Sequence, residues 1–271
     1  MVRFPTGPKE RLCQLVPAPP IGSPCWTDLW TSDVEGSRRF YSELFGWEAQ
    51  DPSPEFGGYF MFTRDDVPVA GAMGAMGDMQ ATDTWSIYLA TDDIAETLDA
   101  AEGHGAHIIG PAMEVADLGR QGILVDPSGA HVGAWQPGTF AGFTVLNEHG
   151  APSWFELHTR DHAAAVSFYR SVFHWETETV GDTDEFRYAT MRNPVADGEL
   201  AGIMDAAAFL PEGVPSHWSV YWEVDDADAT VARANSLGGS VVMDANDTPY
   251  GRLATLSDPA GGQFKLRTPP R

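Results

Sequence analysis

The chain has 271 residues, 43% of them hydrophobic, with 9 Trp and 14 Phe, and a formal net charge of −23. That length and apolar content suit two domains of ordinary size, each with its own core. The charge excludes nucleic acid as a partner, because phosphate binding needs a basic face, and it disfavours an anionic membrane surface.

Residues 1–23 are proline-rich and hold no apolar run long enough to span a bilayer, so they read as an extended arm. The two cysteines, Cys13 and Cys25, form neither a disulfide framework nor, without further ligands, a zinc site. A reducing, cytoplasmic compartment fits them. A short alternating strand follows from Trp26 to Trp30, then an Asp33 helix cap and a helix with apolar residues at 40, 41, 44 and 45. Strand signals follow at 59–63 and 69–73. A second, weaker unit has a strand at 85–91, Asp92–Asp93 opening a helix, and strands at 106–109, 121–125 and 131–136.

The second half repeats the first. PCWTDLWTSDVEGSRRFYSELFGWEAQ at 24–50 returns as PSWFELHTRDHAAAVSFYRSVFHWETE at 152–178, and Trp26, Asp33, Phe40, Tyr41 and Trp47 recur as Trp154, Asp161, Phe168, Tyr169 and Trp175. TWSIYLATDD at 84–93 returns as HWSVYWEVDD, and GRQGILVDPSG at 119–129 as GRLATLSDPAG. A repeat of this length dictates architecture. The fold class is α+β, with four βαβββ modules in two tandem domains, 24–138 and 152–271, joined by a linker at 139–151 in which Phe143, Val145 and Leu146 hint at packing.

The motif D-x-x-x-S-x-x-F-Y-x-x-x-F-G-W (Asp33, Ser37, Phe40, Tyr41, Phe45, Gly46, Trp47) resembles the vicinal oxygen chelate superfamily of glyoxalases, extradiol dioxygenases and bleomycin-binding proteins. So do the V-D-D before the last helix and the two D-P-x-G turns. The likeness is strongest to tandem actinobacterial proteins of glyoxalase-like or hydroxylase-like type, some of which accompany antibiotic biosynthesis. It implies eight-stranded sheets curled into cups. Relatives pair their modules within a copy, between copies or across a homodimer, and the linker length does not choose. Metal-dependent relatives place ligands at positions that correspond here to Trp26, Ser86 and Gly133, and to Trp154, Ser219 and Lys265. Indole offers no free lone pair and an ammonium repels a cation, so no metal and no other cofactor is expected.

If the Trp26 position faces the cup, alternation puts Trp26, Asp28, Trp30, Tyr88 and Trp135 into the first cup, as a stacking site for a flat ligand or as plain core. The second cup receives Trp154, Glu156, His158, Tyr221, Glu223 and Lys265. Glu156 and His158 can serve as base and acid, with Lys265 or Tyr221 stabilising an oxyanion. The same residues also suit a neutralised network, Glu223 with Lys265 and Glu156 with His158, or an unusual metal site from Glu156, His158 and Glu223. The expected function is metal-independent acid/base chemistry on a small aromatic or polyketide-type metabolite, such as isomerisation, cyclisation or hydration. The alternatives are sequestration of a planar drug or metabolite, and a metal-dependent glyoxalase or dioxygenase.

Overall fold

Four aspartates decide where the helices begin. In a computed structural model, which describes residues 19–77, 80–192 and 199–270, Asp33, Asp93, Asp161 and Asp226 each accept backbone N–H groups from the first turn of the helix they precede. Such a cap contributes roughly 1 kcal/mol per helix. The proline-rich arm, Cys13 included, lies mostly outside the described residues.

The first copy runs β1 (Pro24–Trp30), α1 (Val34–Phe45), β2 (Glu48–Ala49), β3 (Phe60–Arg64), β4 (Val67–Met73), β5 (Thr84–Ala90), α2 (Ile94–Gly103), β6 (His107–Val115), β7 (Gly119–Val125) and β8 (His131–Pro137). The second runs β9 (Pro152–Thr159), α3 (His162–Val172), β10 (Glu176–Asp182), β11 (Arg187–Arg192), β12 (Glu199–Asp205), β13 (His217–Glu223), α4 (Ala227–Ser236), β14 (Ser240–Thr248), β15 (Gly251–Ser257) and β16 (Gln263–Thr268). Sequence patterning undercounts at the sheet edges. The polar, exposed β10 carries no apolar alternation, and β6 and β14 continue well past their few apolar residues. Backbone pairing, not burial, holds those segments extended.

Each copy builds one eight-stranded sheet, in the orders β2-β3-β4-β1-β5-β8-β7-β6 and β10-β11-β12-β9-β13-β16-β15-β14. The seam is antiparallel, with Trp26 opposite Tyr88 in one copy and Trp154 opposite Tyr221 in the other. Modules therefore pair within a copy, and residues of β9, β13 and β16 share one cup.

The backs of the two sheets meet through a common aromatic core. Trp222 is fully buried, with ring centroids 5.3 Å from Trp85 and 4.8 Å from Trp47. Since Trp85 and Trp222 point opposite to Tyr88 and Tyr221 on their strands, the cup faces look away from each other. The residues common to both copies join the halves. The Tyr41 hydroxyl donates to Asp258 Oδ2 and the Tyr169 hydroxyl to Asp126 Oδ2, each at 2.9 Å. Each tyrosine in turn accepts an indole N–H, from Trp85 and Trp218 respectively. The other oxygen of each aspartate binds backbone N–H groups of its own D-P-x-G turn. Trp47 and Trp175 complete the exchange, donating at 2.8 Å to Gly150 O and Gly22 O, the residues that lead into the opposite copy. Among the described residues no helix is long and apolar enough to cross a membrane.

Candidate functional site

The two cup floors share a motif that neither strand reveals alone. In the first, Asp28 Oδ1 accepts the Tyr59 hydroxyl at 2.8 Å and the Trp26 indole N–H at 2.9 Å, and Tyr88 also hydrogen-bonds this carboxylate. In the second, Glu156 accepts Tyr188 at 2.9 Å on Oε1 and Tyr221 at 2.7 Å on Oε2, while Trp154 donates to the Tyr188 hydroxyl. Tyr59 and Tyr188 escaped the sequence reading. The available signal was the repeated Ala-Gly pair, Ala70–Gly71 and Ala201–Gly202, on the strand beside each acid. A Cβ on Gly71 would stand 1.9 Å from the Tyr59 hydroxyl, and one on Gly202 2.1 Å from that of Tyr188. Gly202→Ala is therefore expected to push Tyr188 off Glu156 and cost about 1–3 kcal/mol, as overpacking does. Urea denaturation checks it.

Two positions beside the acid set the cups apart. Where the first has Gly133, with the Tyr88 ring lying over it, the second has Lys265. Where the first has Trp30, the second has His158. Lys265 Nζ lies 2.9 Å from both Glu156 Oε2 and the Tyr221 hydroxyl, in contact with His158 Nε2, and 4.7 Å from the Tyr221 ring centroid. His158 Nε2 is itself 2.8 Å from Glu156 Oε2. A carboxylate, an imidazole and a phenol thus surround one ammonium.

Electrostatics separate the roles. Burial alone would raise Glu156, but the Lys265 ammonium, His158 and Tyr221 together hold its carboxyl well below the usual range. Burial, reinforced by Lys265, pushes His158 below its ordinary value against the pull of Glu156, so the imidazole is neutral at pH 7. Tyr221 and Tyr188 are raised by burial and by Glu156, and remain protonated donors. In the first cup no cation pairs with Asp28 among the described residues, and burial pushes it up to about 6 although Tyr59, Tyr88 and Trp26 oppose the rise.

Glu223 does not join the cluster. The parallel register sets Tyr221 beside Lys265 and Glu223 beside Arg267, so Arg267 binds Glu223 at 3.1 Å and the expected Glu223–Lys265 pair does not form. The unusual metal site fails for the same reason, and Lys265 Nζ packs against both Glu156 Oε2 and His158 Nε2. In the first cup every indole is engaged by the chain. Trp135 donates to Phe140 O, Trp30 donates to Gly74 O, and the linker's Phe140 ring stands edge-on to Trp26 at 4.8 Å. Phe143 packs against Trp26 as well, so the linker covers this cup. Two surface hollows, one beside Thr91 and Gln136 and one along α3, do not border the Glu156 cluster.

Two comparisons place the chain. Residues 25–133 match the Glyoxalase/Bleomycin resistance protein/Dioxygenase superfamily, and residues 154–267 the Glyoxalase-like domain. The putative glyoxylase CFP32 of Mycobacterium bovis is 38% identical over 255 residues, covering 92% of this chain and 95% of that protein. The chain belongs to the glyoxalase/bleomycin resistance/dioxygenase superfamily. The anthracycline biosynthesis protein DnrV of Streptomyces peucetius is similar too, 36% identical over 262 residues, covering 90% of this chain and 92% of its own. Solved structures share the fold at low identity. The Mn(II)-bound glyoxalase of Novosphingobium aromaticivorans aligns with TM-score 0.62 at 16% identity over 92% of this chain and 82% of that one. The 2,3-dioxygenase LapB of Pseudomonas sp. KL28 aligns with TM-score 0.63 at 17% over 94% of each.

The superfamily includes metal enzymes, and the residues here do not fit that role. Trp26, Ser86 and Gly133, or Trp154, Ser219 and Lys265, offer no set of carboxylate and imidazole ligands. Among the described residues no three His, Cys, Asp or Glu side chains converge as a metal site.

Proposed function

We propose that this superfamily member is a metal-independent enzyme that performs acid/base chemistry on a small aromatic or polyketide-type metabolite in its second cup. The observation that carries the reading is Lys265 Nζ held within hydrogen-bond reach of Glu156, His158 and Tyr221. A neutral imidazole takes a proton from substrate, and the adjacent Glu156 carboxylate stabilises the imidazolium that results. Lys265 is the donor for oxygen that gains negative charge as the proton leaves, while Tyr221 spends its one hydroxyl proton on Glu156. Proton transfer, isomerisation, cyclisation and hydration all draw on these elements.

Two features support an aromatic substrate. Phe186 stacks on Tyr188 at 5.7 Å and Phe209 stands edge-on to His158 at 6.0 Å, and both keep exposed ring surface. DnrV and its relatives are named for anthracycline biosynthesis, a chemistry of fused aromatic rings.

The test is turnover of a panel of hydroxylated anthraquinones by chelator-treated protein and by Glu156→Gln. Product should form without added metal and fall by about 10²–10³-fold in the variant, the range for loss of one electrostatic stabiliser. Tryptophan quenching without product, unchanged in Glu156→Gln, would instead establish a binding protein. Turnover that returns only with a stoichiometric divalent metal would overturn metal independence.

A further inference from the structure

The second copy differs from the first at one more place, the loop between β12 and β13. Arg160 follows the last residue of β9, and its guanidinium binds backbone carbonyls of that loop. Nη2 donates to Leu210 O at 3.1 Å, Pro211 O at 2.6 Å and Val214 O at 3.0 Å, and Nε donates to Val214 O at 3.2 Å. Its backbone N–H binds Ser216 Oγ at 3.1 Å. Among the described residues no carboxylate pairs with this arginine, so its hydrogen bonding is spent on shaping the loop. Guanidinium is suited to that task because its donors lie in one rigid plane.

The loop so gathered delivers one ring to His158, and the strand that follows it supplies a second. Phe209 meets the imidazole edge-on, and His217, just beyond the loop, lies parallel to it with centroids 5.3 Å apart and planes 11° apart. His217 is fixed in turn by its Nδ1 contact with Pro215 O. The first copy lacks the device. Ser32 stands where Arg160 does and binds Asp83, and Thr84 stands where His217 does.

We propose that Arg160 is a positioning residue of the second cup, holding Phe209 against the His158 ring and so fixing the imidazole's orientation and shielding it from water. The proposal rests on His158 being part of the site proposed above. The groups that face His158 are Glu156 on its own strand, Lys265 on β16 and His217 on β13, with Phe209 from the loop. Loosening the loop withdraws Phe209 and leaves Glu156, Lys265 and His217, which is fixed opposite His158 by the β9–β13 ladder, in place. Water then reaches the imidazole, and its protonation becomes easier.

The experiment follows the His158 titration by NMR in full-length protein labelled at histidine, assigned with His158→Asn. Wild type, Arg160→Ala, Arg160→Lys, Phe209→Ala and Arg252→Ala are compared. Arg252, bound to Asp228 and Asp247 on an exposed face, controls for loss of a well-bonded arginine elsewhere. The wild-type midpoint should lie below the ordinary value of about 6.5. It should rise toward that value in Arg160→Ala and Phe209→Ala, fall between in Arg160→Lys, and stay at wild type in Arg252→Ala. An unchanged midpoint in folded Arg160→Ala overturns the proposal, as does an equal rise in Arg252→Ala. If Arg160→Ala does not fold, an unchanged midpoint in both Phe209→Ala and Arg160→Lys overturns it instead. No substrate is needed, so a failure here is distinct from absence of turnover, which bears on the proposed function alone.

Discussion

Lys265→Met is expected to cost roughly 3–5 kcal/mol at neutral pH, because removing one partner strands a buried charge on the other. The first cup shows what happens to that charge. Asp28 sits among the same two tyrosines and indole without a lysine, and its carboxyl is pushed up to about 6. Glu156 without Lys265 should behave likewise, moving from well below the carboxylate range to above it. The sign with pH follows. In wild type the folded value lies below the unfolded value of about 4.3, so the contribution of Glu156 is intact above that pH and is lost only as pH falls through the folded value. In the variant the folded value lies above the unfolded one. Its stability then rises as pH falls from neutrality toward about 4.3, and its deficit against wild type shrinks on acidification. Urea midpoints across that window check the energy and the sign, and turnover should be lost at every pH.

Trp222→Ala should cost a similar amount, about 3–5 kcal/mol, for a different reason. The ring is fully buried where the two sheets meet, against Phe45, Trp47 and Trp85, and its loss leaves a cavity shared by both halves. Trp222→Phe should cost much less. Among the described residues the indole N–H has no hydrogen-bond partner, so the substitution also removes an unsatisfied buried donor, whose burden is about 1–3 kcal/mol. Differential scanning calorimetry should find a single transition in wild type and a clear loss of melting temperature in the alanine variant.

The parts legible in the sequence were those with short-range rules. Asp33 and Asp161 were readable as caps because a cap acts within three residues. Glu156, His158 and Lys265 were readable as one group because strands alternate and the repeat aligned them with a known cup. The partner of Glu223 was not legible, since alternation gives the face but not the partner, and inter-strand register handed it to Arg267 rather than Lys265. Tyr59 and Tyr188 were missed because their partners lie on other strands and the only trace is a neighbouring glycine. The covering of the first cup by Phe140 was equally hidden, since a linker has no period to read.

The hydroxyl of Tyr41 finds its acceptor 217 residues further along the chain. On the ribosome, the first helix is made long before the strands that receive it. The first half can pair its strands as they emerge, but its aromatic back has no counterpart until β13 and β16 have been synthesised. Contacts of such long range slow folding and leave apolar surface open to aggregation. Nascent-chain survival should therefore depend on how quickly the second repeat is translated.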